Sequence, residues 1–222
     1  MVLDTEIESL GTQAHWLHEC YLEEAKKGVG MFGSYYTDVD FHHPTEIDRY
    51  LFDALVKLNG CDHILLPYLS YHHWILLVIN IDDSAICIYD SLRRGIDKYQ
   101  TILSALNKAY KKYRRSERSY GRCMIDATEF RVFEHKYILR QPEATYLCGF
   151  YVMRYMLYFV EDGYNHRNAE KLGLDTSEIL PHVFKTLTNE FCGFIRHYVI
   201  DPTGEYNINK AEVDWHAESQ QI

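Results

Sequence analysis

The 222-residue chain has no long apolar run of the kind that crosses a bilayer, which takes roughly 18 to 20 consecutive residues. Its most apolar stretch, residues 147–160, is broken by Arg154, so no membrane role is expected. The first eight residues, Met1-Val2-Leu3-Asp4-Thr5-Glu6-Ile7-Glu8, carry acids where a secretory signal needs a basic end and an apolar core. Six cysteines (Cys20, Cys61, Cys87, Cys123, Cys148 and Cys192) occur without C-x-x-C spacing. That argues against a zinc ribbon or a dense disulfide framework and for reduced intracellular thiols. With only 12 Gly and 5 Pro, no linker or low-complexity block divides the sequence, and no internal repeat is present. Positive charge is also scarce: 23 Lys and Arg stand against 32 Asp and Glu, a net charge of −9. Wholesale neutralisation of a phosphate backbone, and a direct nucleic-acid role, are therefore not expected.

What is present is the composition of a folded domain, 47% hydrophobic and 25% charged. Residues 1–200 read as one domain and residues 201–222 as a polar, loosely held tail. Ile47, Leu51, Leu55 and Leu58 recur at helical steps behind Pro44 and stop at Asn59-Gly60, which predicts a helix over 44–58. Short β-rich runs follow at 64–66, 74–80 and 85–89, the last two joined as a hairpin through Asp82-Asp83-Ser84. Tyr99, Ile102, Leu106, Ala109 and Tyr113 predict a second amphipathic helix. Residues 129–139 alternate imperfectly and read as strand. Residues 148–160 read as a helix buried all round and capped by Gly163, and residues 177–199 as a final long helix. Helices, then clustered strands, then helices give an α+β class with a central mixed sheet flanked by helices.

Four positions can carry chemistry. His73 opens one strand of the expected hairpin and Asp90 closes the other, so the open ends bring an imidazole near a carboxylate. A carboxylate there fixes the imidazole tautomer and stabilises its charged form. The adjacent pair His72-His73 is a poor metal pair, because neighbouring strand residues point to opposite faces, and no metal or cofactor site is expected. Cys148-Gly149 falls where a loop runs into the buried helix. A helix N-terminus offers partial positive charge and unpaired N–H groups that favour a thiolate. Taken alone, a cysteine in such a place is more often a small packed thiol. Gln141, seven residues earlier, could turn a neutral amide donor toward the thiol. Lys111, Lys112, Arg114 and Arg115, with Arg118 and Arg122 beyond, read as a solvated helix end whose cations complement the dipole.

Together, Tyr71-His72-His73-Trp74, Ile88-Tyr89-Asp90-Ser91-Leu92 and Gln141…Leu147-Cys148-Gly149-Phe150-Tyr151-Val152 resemble the SUMO-protease type of papain-like cysteine peptidases, which act on ubiquitin-like modifiers. The order His, Asp, Gln, Cys is that family's order, and the resemblance runs from about Trp16 to Val160. The Gln-Pro…Leu-Cys-Gly-Phe-Tyr-Val form looks like the branch found in plant genomes, often in transposon-derived genes. The resemblance implies a papain-like fold with Cys148 as nucleophile, His73 as general base and acid, Asp90 as its orienting partner and Gln141 as oxyanion donor. It also implies that Trp74 and Trp16 wall a narrow slot for the substrate's terminal Gly-Gly.

Three departures stand out. Glu19 replaces the Asp of the early Trp-Leu-x-Asp motif, Leu147 stands where other members have Asp before the Cys, and the Gln-to-Cys loop is one residue longer. The activity implied is hydrolysis after the C-terminal glycine of a modifier such as SUMO, by a monomer in the nucleus or cytoplasm. Two rivals remain at this point: a catalytically silent module that still binds a ubiquitin-like protein, and an acyl transferase on a related scaffold.

Overall fold

The structure is a computed structural model and describes residues 29–32, 43–116, 127–161, 177–204 and 207. Trp16, Cys20, Arg118, Arg122, Cys123, Gly163 and most of the polar tail at 201–222 lie outside the described residues. The chain divides into two compact units, Met1–Ile179 and Leu180–Ile222.

The first unit is built on a five-stranded sheet in the order β1-β2-β3-β4-β5. Its strands are β1 (Val29–Met31), β2 (His63–Ser70), β3 (His73–Asn80), β4 (Ala85–Tyr89) and β5 (Arg131–Glu134). The β2-β3 and β3-β4 pairs are antiparallel, while β1 and β5 run parallel to their neighbours at the two edges. The sheet is therefore mixed and the class α+β. β2 is much longer than the expected 64–66. Pro67 reads as punctuation, yet it sits three residues from the hairpin-closing pair Ser70–His73, at an odd step. Its missing N–H then points away from β3, along a stretch where β1 has already ended. Conversely β5 keeps only four residues of the expected 129–139.

Helix α1 (Pro44–Lys57) starts as its sequence dictates: Pro44 occupies the first turn and the Glu46 carboxylate accepts the His43 N–H. Helix α2 (Gln100–Arg114) follows a 3₁₀ turn, Ile96–Tyr99. Both lay their apolar stripes on one face of the sheet. Ile47, Leu51, Leu55, Leu103 and Leu106 pack there against Leu66, Ile75, Leu77 and Ile88. Truncating any one fully buried leucine of this layer costs about 2–5 kcal/mol.

The opposite face is aromatic and carries helix α3 (Cys148–Glu161). Tyr89 stacks on His135 at 4.7 Å and meets Tyr155 and Phe159 of α3 at 5.6 and 5.8 Å. The cations at the end of α2 are mostly occupied: Lys108 pairs with Asp48, Lys111 with Glu129, and Lys112 lies 4.2 Å over the Phe52 ring.

The second unit contains helix α4 (Pro181–Phe194), which continues as a π-helical turn, Ile195–Ile200. The helix begins at Pro181 rather than at 177. A proline forces its predecessor out of the helical region, and Leu180 is extended with ψ 141°. The Asn207 amide closes the end of this unit by donating to the carbonyls of Val199, Ile200 and Asp201.

Candidate active site

The two hairpins set the site. Tyr71 and His72 form a two-residue turn with φ of +47° and +60°, both left-handed. Such turns match the twist of the strands but ordinarily use Asn and Gly. This turn makes His73 the first residue of β3, paired with Ser70. At the same end of the sheet Asp90 follows the last residue of β4. The β3-β4 register puts Tyr89 opposite Leu76, so Asp90 falls opposite Ile75, on the face that His73 shares. One pleat separates them, and His73 Nε2 lies 2.7 Å from Asp90 Oδ1, both side chains buried.

Asp90 is held by more than the histidine. Its Oδ1 also accepts the Leu92 N–H at 2.9 Å, and its Oδ2 accepts the Arg94 N–H at 2.6 Å and the Tyr99 hydroxyl at 2.5 Å. Burial opposes its charge, but the bonds from His73, Tyr99 and Arg94 prevail and bring the carboxyl down to about 2.

Cys148 comes from the other face, at the first turn of α3. Nε2 of His73 is committed to Asp90, which leaves Nδ1 for the Cys148 thiol, its other side-chain partner. Burial pushes the thiol up. The hydrogen bond with His73, the backbone N–H groups of Trp74 and Gly149, and the imidazole charge outweigh burial and hold it below its ordinary value. The His73 ring is likewise penalised by burial but raised by Asp90 and Cys148. Both shifts favour one charge arrangement, thiolate beside imidazolium.

Gln141 is buried, and its amide is oriented by two bonds. Ser91 Oγ donates to Oε1 at 2.7 Å, and Nε2 donates to the Thr145 carbonyl at 3.0 Å. Hydroxyl to oxygen and nitrogen to carbonyl fixes which way the amide points. The Tyr155 hydroxyl donates to the Leu139 carbonyl at 2.5 Å and so ties α3 to the irregular segment that delivers Gln141. Trp74 is buried beside Cys148, its backbone N–H on the sulfur. Left-handed non-glycine residues stand in each site loop: Tyr71 and His72 before His73, Arg93 after Asp90, and Ala144 between Gln141 and Cys148. Such conformations persist where the surroundings over-determine them.

The structure thus gathers His73, Asp90, Gln141, Cys148 and Trp74 at one end of the sheet, while Trp16 lies outside the described residues. Reasoning from sequence missed Ser91, although it directly follows Asp90, and Tyr155, seven residues from Cys148 on α3. It also treated Tyr99 as ordinary helix packing. Among the described residues no group of three or more His, Cys, Asp or Glu is arranged to hold a metal, and no helix is long and apolar enough to cross a membrane.

An α+β scaffold that aligns a thiol, an imidazole and a carboxylate in one buried chain is the equipment of a cysteine hydrolase. The family model for the Ulp1 protease family, C-terminal catalytic domain, matches residues 7–179. The chain belongs to that family and is a cysteine protease. No curated protein matches it significantly. Solved structures share its fold. The C-terminal Ulp1 protease domain in complex with Smt3, the yeast ortholog of SUMO, aligns over 85% of this chain and 73% of its own, at 17% identity and TM-score 0.51. The Ulp1-like SUMO protease catalytic domain of Chaetomium thermophilum aligns over 84% and 68%, at 17% identity and TM-score 0.51. A cysteine-to-alanine mutant of Xanthomonas XopD aligns over 84% and 97%, at 15% identity and TM-score 0.52.

Proposed function

We propose that this protease hydrolyses the peptide or isopeptide bond after the C-terminal Gly-Gly of a ubiquitin-like modifier such as SUMO. The observation that carries the reading is the continuous buried chain Asp90–His73–Cys148, in which the thiol is lowered and the imidazole raised. Membership of the Ulp1 family supports the substrate class, as does the fold shared with a domain whose structure holds Smt3.

In this reading Cys148 Sγ attacks the carbonyl carbon of the terminal glycine as a thiolate. The oxygen of the tetrahedral adduct takes the charge. It is met by the Gln141 amide and by the Cys148 N–H, which as part of a first helical turn has no intrahelical partner. Collapse breaks the C–N bond, and His73 Nδ1 gives its proton to the departing amine. His73, now neutral, takes a proton from water as the water attacks the thioester. The glycine carboxylate leaves and the thiolate–imidazolium pair is restored. Asp90 holds the ring throughout. Trp74 walls a slot in which any β-carbon would collide, so glycine is selected by exclusion; the role the resemblance gives Trp16 falls outside the described residues. The acyl half is the same for precursors and conjugates, so the peptide and the isopeptide bond present the same carbonyl to the thiol, and the working compartment is the nucleus or cytoplasm.

The test is incubation of the purified protein with a panel of ubiquitin-like proteins bearing a C-terminal electrophile, scored by mass shift. Covalent capture of one member, absent in Cys148→Ala, is the expected result. Non-covalent binding of a modifier with no capture would instead identify a silent binding module.

A further inference from the structure

We infer that Tyr99 is a positioning residue of this site: its buried hydroxyl donates to Asp90 and fixes the plane in which that carboxylate meets His73. The inference rests on the proposed roles of Cys148, His73 and Asp90.

Tyr99 ends the 3₁₀ turn that leads into α2, and its ring is 1% exposed within the apolar layer under the sheet. A phenylalanine would fill that space equally well. What distinguishes the tyrosine is the hydroxyl, 2.5 Å from Asp90 Oδ2. Each carboxylate oxygen then has two donors: Leu92 N–H and His73 on Oδ1, Arg94 N–H and Tyr99 on Oδ2. Leu92 and Arg94 belong to the same loop as Asp90 and move with it. Tyr99 is the anchor outside that stretch, where the chain enters α2, whose packing fixes it to the core. A carboxylate held at Oδ2 cannot rotate Oδ1 away from the imidazole, and the imidazole in turn cannot swing from the thiol.

The direction of the bond is also settled. Burial and the charge of Asp90 push the Tyr99 phenol far above its ordinary value, so it stays a donor at every working pH. Other titratable groups facing this pair are His73 on β3, Tyr155 on α3, Glu134 on β5 and Arg94 on the loop itself. Of these, His73 alone shares a side-chain hydrogen bond with Asp90, as Tyr99 does.

The experiment compares Tyr99→Phe with the native chain, with Cys148→Ala, and with Tyr110→Phe. Tyr110 supplies a matched buried hydroxyl, 2.6 Å from Ser84 Oγ at the opposite end of β3 and away from the site. Turnover of SUMO carrying a C-terminal fluorogenic amide and the pH dependence of Cys148 alkylation by iodoacetamide are both read. In Tyr99→Phe we expect kcat to fall about tenfold with KM unchanged, the order set by one hydrogen bond to a charged group. The acid limb of Cys148 alkylation should also move to higher pH, because an imidazole held less firmly by Asp90 gives the thiolate less of the hydrogen bond that lowers it. Tyr110→Phe should leave the limb in place. A Tyr99→Phe protein that is merely less heat-stable, with native kcat and an unmoved limb, would overturn the inference and leave the triad intact. Full turnover in Cys148→Ala would overturn the triad itself.

Discussion

Cys87 and Cys148 are both buried thiols of the first unit, one on a strand and one at a helix start, 3% and 7% exposed, and their acidities are displaced in opposite directions. Cys87, midway along β4, is pushed far up by burial, which a single bond with Tyr89 does not offset. Cys148 bears the same kind of penalty, yet it is lowered because an imidazole and two backbone N–H groups converge on its sulfur. Burial alone therefore makes a cysteine inert, and reactivity depends on what is buried with it. His73 is the partner that separates the two, and its own place depends on Asp90 and on the turn that delivers it.

Removing the partner should collapse the contrast. His73→Ala is expected to slow Cys148 alkylation toward the rate of Cys87 and, like Cys148→Ala, to lower turnover by about 10³-fold or more, measured with the fluorogenic SUMO substrate. A His73→Ala enzyme whose Cys148 still outpaces Cys87 would mean that the helix N-terminus alone activates the thiol.

Next in size is Gln141→Ala. Loss of one oxyanion donor should reduce kcat about 10²-fold while leaving the Cys148 alkylation rate close to native, since the amide acts on the adduct and not on the thiol. Equal loss in both readouts would show that Gln141 instead shapes the resting site.

Asp90 links the contrast to stability. Its folded value of about 2 lies below the ordinary carboxylate value of 3.8, so its ionised form stabilises the fold above that range. The contribution, on the order of 2 kcal/mol, is lost as pH falls from near 4 through 2. Urea denaturation across that window should show the decline in the native protein and its absence in Asp90→Asn. A parallel decline in the variant would place the titration elsewhere.

The smallest effect concerns the turn. His72 sits at φ +60°, a conformation costing a side-chain-bearing residue about 1–2 kcal/mol, so His72→Gly should raise the thermal midpoint by a few degrees. An unchanged or lower midpoint would show that the strain is already relieved by neighbours.

Much of this was legible in the sequence because the chemistry-bearing residues sit at element ends. His73, Asp90 and Cys148 each mark a boundary between an apolar run and a turn, and boundary residues stand out in a pattern. The hairpin arithmetic could bring His73 and Asp90 near one another, but not show that they share a face. That required the β3-β4 register, Asn80 opposite Ala85, which the turn residues at 82–84 announce without fixing. Pro67 hid half of β2 for a related reason: a proline is compatible with a strand wherever its N–H would face no partner, and the partner's extent is a tertiary fact. The final helix was started too early because the steps of its apolar residues carry no record of how Pro181 constrains Leu180. Ser91, Tyr99 and Tyr155 escaped notice because each is a residue type that packs well without function. Tyrosine is abundant here, with 19 in the chain, and only the destination of each hydroxyl separates an anchor from filler.

The most direct measurement is the rate of Cys148 alkylation by iodoacetamide against pH in the native protein, resolved by peptide mass spectrometry with Cys87 as internal reference. A thiolate held by a protonated His73 predicts that Cys148 reacts fastest of the chain's cysteines. Its rate should rise well below the ordinary thiol value of about 8.5, level off, and change again only as His73 loses its proton. A single rise near the ordinary thiol value, shared with the other cysteines, would contradict the account.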